Sequence, residues 1–233
     1  MLLVLTGDIQ IGKTRWLQAS VDRLEAAGVG CEGVVAPGVW RPQAAPEDGY
    51  EKLGIDNLLL PEHELVPFAR REDLARAEGT YDPTNGSAQL GLVWHIDEGA
   101  VCRVNAHFEA LQARIDATPA AERPLCRRVL FVDELGRLEL QCGGGLTAAM
   151  GLLARGPQGY YDHALVVARN AFGLNERVIE LFGEAWGGAV QVGPGKQTWD
   201  AWFSPLCGGS FTELLTHLER RPRGRHNGSV GKL

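Results

Sequence analysis

The sequence predicts a three-layer α/β/α sandwich around a mainly parallel sheet. Two observations predict it. Uninterrupted apolar runs at Leu2 to Thr6, Val129 to Val132 and Ala164 to Ala168 suit strands buried on both faces. Segments of helical periodicity stand between those runs, and strands alternating with helices build parallel sheets. The 233 residues, 45% hydrophobic and 22% charged, have a globular composition. That excludes collagen-like, disordered and disulfide-scaffold chains. A chain of this length buries a core without a disulfide or metal staple.

The elements follow in order. After the first strand, Leu17, Val21 and Leu24 fall at helical spacing before Gly28 and Gly30 end the segment. Cys31 to Ala36 reads as a second strand, and residues 37–50, rich in Pro, Gly and Ala, as a loop. Leu53 to Leu60 and Glu64 to Ala69 flank Pro61 and read as a hairpin, with Pro67 confining its second strand to an edge. Residues 71–92 carry no clear pattern. Val101, Val104, Phe108, Leu111 and Ile115 predict a helix from about Asp97 to Ala117. Beyond the strand at Val129, an apolar helix runs through Leu153, a strand covers Ala164 to Ala168, and a helix covers Asn175 to Phe182. A last strand at Ala189 to Val192 and a last helix at Phe211 to Leu218 complete the pattern. One domain over residues 1–218, with an insert at about 51–95, is expected.

The formal charge is −6, from 23 basic and 29 acidic residues. Residues 219–233 hold four arginines, one lysine and one glutamate, a local +4 that leaves −10 on the rest. An acidic body with a short basic tail argues against nucleic acid as a partner, and the tail reads as a flexible arm. No apolar run approaches the ~20 residues of a membrane span. The start of the chain lacks the basic flank of a signal peptide, so a cytoplasmic protein without membrane association is expected. The five cysteines (31, 102, 126, 142, 207) form no C-x-x-C pair, and the six histidines show no metal-ligand spacing.

The strongest chemical signal is Gly7-Asp8-Ile9-Gln10-Ile11-Gly12-Lys13-Thr14, a full match to G-x-x-x-x-G-K-[ST]. Its glycines let backbone N–H groups wrap a phosphate, and the following helix adds its N-terminal dipole. Lys13 would neutralise β/γ-phosphate charge, Thr14 would ligate Mg²⁺, and Arg15 closes the nucleotide-binding stretch. Only four of the basic residues are lysine, which makes a chance match rare. A second Gly-Lys, in Gly193-Pro194-Gly195-Lys196, lacks the earlier glycine and reads as a turn.

Arg128 to Glu134 (RVLFVDE) supplies the complementary half, an apolar strand ending in acids. Asp133 is placed to hold Mg²⁺, and Glu134 to orient or deprotonate a water attacking the γ-phosphate. Arg169 and Asn170, just past the Ala164 strand, stand where a sensor of the γ-phosphate would. For Glu139 a structural salt bridge competes with a chemical role. Arg70 and Arg71 read as solvated, His107 as inert on the polar side of its helix, and Trp94, Trp186, Trp199 and Trp202 as packing residues.

The stretch Val132-Asp133-Glu134-Leu135-Gly136-Arg137-Leu138-Glu139-Leu140 resembles the D-E-[IL]-G-x-[ML]-E-L signature of the P-loop nucleoside-triphosphatases of the thermophilic-bacterial and cancer-related NTPase family. The extreme N-terminal phosphate loop and the Gly33-Val34-Val35 strand agree. So does Lys52-Leu53-Gly54-Ile55-Asp56, similar to the family's R-x-G-F-x strand. The resemblance covers roughly residues 1–180. It implies a RecA-like core with a hairpin inserted after the second strand. It further implies Mg²⁺-dependent hydrolysis of NTP to NDP and phosphate with loose base specificity, through Gly12, Lys13, Thr14, Asp133 and Glu134. The family's usual G-K-T-T is replaced here, since Arg15-Trp16 follow Thr14.

Two other readings stay open. One is a P-loop kinase passing the γ-phosphate to a small molecule or nucleotide. The other is a nucleotide-dependent switch that engages a protein partner, with ATP, GTP or another NTP as its ligand.

Overall fold

Along the chain the strands are β1 (Leu2–Leu5), β2 (Gly30–Val35), β3 (Gly38–Pro42), β4 (Tyr50–Leu60), β5 (Glu64–Arg71), β6 (Trp94–Ile96), β7 (Arg128–Leu135), β8 (His163–Ala168) and β9 (Ala189–Val192). This computed structural model describes residues 1–8, 11–43, 49–123 and 127–207. The strands form one sheet in the order β6-β5-β4-β2-β7-β8-β1-β9, with β3 paired to β4. From β2 to β9 every pairing is parallel, so β8 stands between β1 and β7. The remaining strands attach to β2 through β4 as an antiparallel wing.

Alternation along the parallel strands divides the core. Leu2, Val4, Leu130, Val132, Ala164 and Val166 pack against the helices Glu98–Ala117, Thr147–Ala154 and Leu174–Phe182. Leu3, Leu5, Val129, Phe131, Leu165 and Val167 face the helix Lys13–Ala26 and the helical stretch carrying Trp199, Phe203 and Leu206. The predicted three-layer sandwich is therefore present. Each fully buried leucine or phenylalanine on these faces contributes ~1.5–3 kcal/mol.

The helix predicted near Asp97 begins at Glu98 because the Asp97 carboxylate accepts the Ala100 amide at 2.6 Å, capping the first turn. Its buried stripe is Ala100, Val104, Phe108, Leu111 and Ile115. Among the described residues no helix is long and apolar enough to cross a membrane.

The insert departs from expectation. The expected hairpin is present as β4 and β5, but the segment read as a loop holds β3, and β6 covers part of β5. Pro67 does not leave β5 at the sheet edge. It pairs with Asp56 beside a bulge in β5 itself, where Phe68 is the extra residue, and β6 pairs only with Ala69–Arg71, so the proline falls where the ladder is already broken. The unassigned stretch contains the helices Glu72–Glu78 and Gly86–Gln89. Arg70 and Arg71 are not simply solvated: Arg70 pairs with Glu78 at 2.5 Å, and Arg71 with Glu51 at 2.7 Å and Asp73 at 2.6 Å, locking the wing's base. The expected Phe211–Leu218 helix, the 219–233 tail and Cys126 lie outside the described residues.

Candidate active site

The C-terminal ends of β1, β7 and β8 lie side by side at one edge of the sheet, and the residues singled out from the sequence stand on or just beyond them. From β1 the chain enters the Gly7–Thr14 loop, of which Ile9 and Gln10 lie outside the described residues. Gly7 has φ +133°, and a Cβ there would sit 2.6 Å from the Ile11 side chain. Gly12 is left-handed (φ 89°), a conformation in which L side chains are strained, and it turns the loop into the Lys13–Ala26 helix. The Lys13 ammonium folds back over the loop, donating to the Gly7 carbonyl at 2.8 Å and the Asp8 carbonyl at 2.7 Å. Burial lowers its pKa, and Glu134 is the largest influence acting to raise it. Arg15 is exposed on the first turn of the helix.

Across β8, the end of β7 presents Asp133 and Glu134. Asp133 is 2% exposed, and its Oδ2 accepts the Ala36 amide at 2.9 Å. Among the described residues its Oδ1 has no hydrogen-bond partner. Burial, then the neighbouring Glu134, push the carboxyl up to about 7; the Ala36 amide, the Thr14 hydroxyl and Lys52 act the other way. A buried, orphaned carboxylate oxygen with a hydroxyl nearby is the donor set a hard divalent cation takes. The residues present fit such an ion, which would favour the ionised carboxylate.

Register explains the backbone at Glu134. Val132 pairs with Val166 and Leu135 with Ala168, so Asp133 and Glu134 together oppose Val167 alone. This bulge puts Glu134 at φ +63°, a strained conformation for a residue with a side chain. Its carboxylate stands 3.9 Å from the Arg169 guanidinium, which leaves the end of β8. Asn170, next along, accepts a hydrogen bond from the Thr6 hydroxyl at the end of β1. Lys13, Thr14, Asp133, Glu134 and Arg169 thus belong to one electrostatic cluster, with Asn170 tied to its rim.

Several sequence expectations resolve differently. Glu139 makes no salt bridge among the described residues; it is buried, with Oε2 accepting the Gly136 amide at 2.9 Å and Oε1 the Leu146 amide at 3.3 Å. It is a loop brace. His107 is not on an open polar face, since its side chain is 8% exposed and its Nε2 lies 3.2 Å from the Gly33 carbonyl oxygen. Trp186 and Trp199 are buried packing residues, and Trp202 lies edge-on to His163. Lys196 pairs with Asp200, so the second Gly-Lys is a turn entering a helix.

Sequence reasoning missed Lys52 as a site residue. It lies on β4, yet Glu134, Arg169 and Asp133 are its electrostatic neighbours. Trp94 is not only packing: the Lys52 ammonium sits 5.0 Å from its ring centre and 5.9 Å from that of Trp40. The available signal was a lysine in a lysine-poor chain, on a strand beside Gly54.

Sandwich and sheet order define a mixed α/β fold with helices on both faces of a parallel core. The solution structure of a human cancer-related nucleoside triphosphatase has the same fold, with a TM-score of 0.52 over 95% of this chain and 98% of that one at 16% identity. No protein-family profile and no curated protein sequence matches the chain.

Proposed function

We propose that the chain binds a nucleoside triphosphate on the Gly7–Thr14 loop and hydrolyses it to the diphosphate and phosphate. One observation carries the reading: the loop bearing Lys13 leaves β1 and the Asp133–Glu134 pair ends β7, on either side of β8 and at the same end of one parallel sheet. The fold shared with a nucleoside triphosphatase supports it.

In this reading the Lys13 ammonium leaves the Gly7 and Asp8 carbonyls for the β- and γ-phosphate oxygens. It exchanges neutral acceptors for charged ones, which form hydrogen bonds roughly twice as strong. Thr14 and Asp133 would hold Mg²⁺, which supplies charge neutralisation along the phosphate chain. Glu134 accepts the proton of the attacking water, and Arg169 holds that carboxylate in place. Asn170, fixed through Thr6, orients the water from the other side. Bond formation from the water oxygen to the γ-phosphorus accompanies cleavage to the bridging oxygen, whose electron pair stays with the diphosphate.

The test is phosphate release from each NTP with Mg²⁺ and no added acceptor. The wild type is expected to turn over, and Glu134→Gln to lose ~10²–10⁴-fold in rate while binding nucleotide normally. Phosphate transfer only to an added acceptor would make the chain a kinase. Tight binding without turnover would make it a switch.

A further inference from the structure

We propose that Lys52 is the cation that meets the γ-phosphoryl group as it transfers, supplied in cis by β4 from between the Trp40 and Trp94 rings. This rests on the hydrolytic reading and adds a catalytic residue to it.

The wing delivers the side chain. Register pairs Lys52 with Trp40 on β3, and β6 brings Trp94 to the same ammonium. A Cβ on Gly38 would sit 2.8 Å from Lys52 Cε and 2.5 Å from Trp40 Nε1, so the glycine leaves the lysine its path. The Arg71 guanidinium donates to the Lys52 carbonyl at 3.4 Å and pairs with Glu51, which also pairs with Arg41 at 2.6 Å. Backbone position is thereby fixed while, among the described residues, the ammonium itself is held by ring faces.

That leaves an unmet demand. Among the described residues, no hydrogen-bond acceptor or carboxylate is in contact with the Lys52 ammonium, although it is largely removed from water. Ring faces hold an ammonium more weakly than a charged phosphoryl oxygen would. Lys52, Lys13 and Arg169 share the carboxylates Asp133 and Glu134 as electrostatic neighbours, with Asp8 acting on Lys13 as well. The other two cations have partners: Lys13 the loop carbonyls, Arg169 the Glu134 carboxylate. Lys52 is the one left for charge that develops late.

The chemistry is that of the hydrolysis above. The water oxygen bonds to the γ-phosphorus, the bond to the bridging oxygen breaks with its electron pair, and the water proton passes to Glu134. Lys52 keeps its proton throughout and stabilises the equatorial oxygens of the phosphoryl group in flight.

The experiment compares wild type, Lys52→Met and Lys52→Arg by phosphate release, by affinity for a non-hydrolysable triphosphate, and by affinity for Mg·ADP with tetrafluoroaluminate. Lys52→Met is expected to lose ~10²–10³-fold in kcat and a similar factor in tetrafluoroaluminate-complex affinity. Its triphosphate affinity should stay within ~3-fold, and Lys52→Arg should recover most of the rate. An active wild type with an equally active Lys52→Met overturns the proposal alone. Equal losses in triphosphate and tetrafluoroaluminate affinity also overturn it, because Lys52 would then serve ground-state binding. If Lys52→Met fails to fold by thermal unfolding, Lys52→Gln, which keeps a polar end, decides on the same criteria. A wild type that releases no phosphate defeats the hydrolytic reading and this proposal together.

Discussion

The Asp133 carboxylate accepts the Ala36 amide at 2.9 Å, joining residues 97 positions apart. That bond ties the end of β2 to the end of β7 and occupies one carboxylate oxygen, leaving the other for a ligand. The same pair marks where the antiparallel wing leaves the parallel core. Wing and core meet at the cluster of charges, so Lys52 on β4 has Glu134, Arg169 and Asp133 as electrostatic neighbours.

Glu134 stores strain that glycine would release. Its φ of +63° costs ~1–3 kcal/mol for a residue with a side chain, against ~0.5–1 kcal/mol of extra chain entropy for glycine. Glu134→Gly is therefore expected to stabilise the protein by about 1 kcal/mol, or ~2–4 °C in Tm for a chain of this size, while abolishing phosphate release. Calorimetric unfolding of the variant checks it; a lower Tm would mean the bulge is not strained.

Glu139 and Glu134 should separate cleanly. Glu139→Ala strands the Gly136 and Leu146 amides, at about 2–4 kcal/mol in stability. Turnover per folded molecule should stay within several-fold. Urea titration and rate assay together test this. A hundredfold loss of rate at unchanged stability would place Glu139 in the chemistry.

His107 makes stability fall in acid. Burial lowers its pKa, with Glu62 the largest opposing influence. As pH drops through ~6.5 the unfolded chain takes up a proton that the folded chain refuses, so the stability His107 contributes is present above that pH and lost below it. His163, also lowered by burial, acts in the same direction. Each histidine adds a slope of at most ~1.4 kcal/mol per pH unit. Urea unfolding between pH 5 and 7.5 should show a shallower slope for His107→Gln; an unchanged slope would mean the imidazole charges freely in the fold.

What the sequence made legible was contiguous. The Gly7–Thr14 loop and the Asp133–Glu134 strand end each hold their motif within a few residues, and the apolar strand runs behind them set the sandwich. Helix Glu98–Ala117 was readable because its buried stripe repeats every turn. The wing was not, for physical reasons. β3 begins at Gly38 and ends at Pro42, both weak strand formers, and β6 has three residues, so neither shows a period. Lys52, Trp40 and Trp94 meet only through the register of separate strands. His107 was misjudged because its partners lie on β2 and the β4–β5 turn, not on its own helix.

Titration calorimetry of a Mg²⁺-nucleoside triphosphate against wild type, Lys13→Ala and Asp133→Asn tests the central claim most directly. One nucleotide should bind per chain. Lys13→Ala should weaken binding ~10–100-fold, the value of one or two charge-assisted hydrogen bonds, and Asp133→Asn should remove most of the Mg²⁺ dependence. Affinity and Mg²⁺ dependence unchanged in both variants would contradict a shared triphosphate–metal pocket between the ends of β1 and β7.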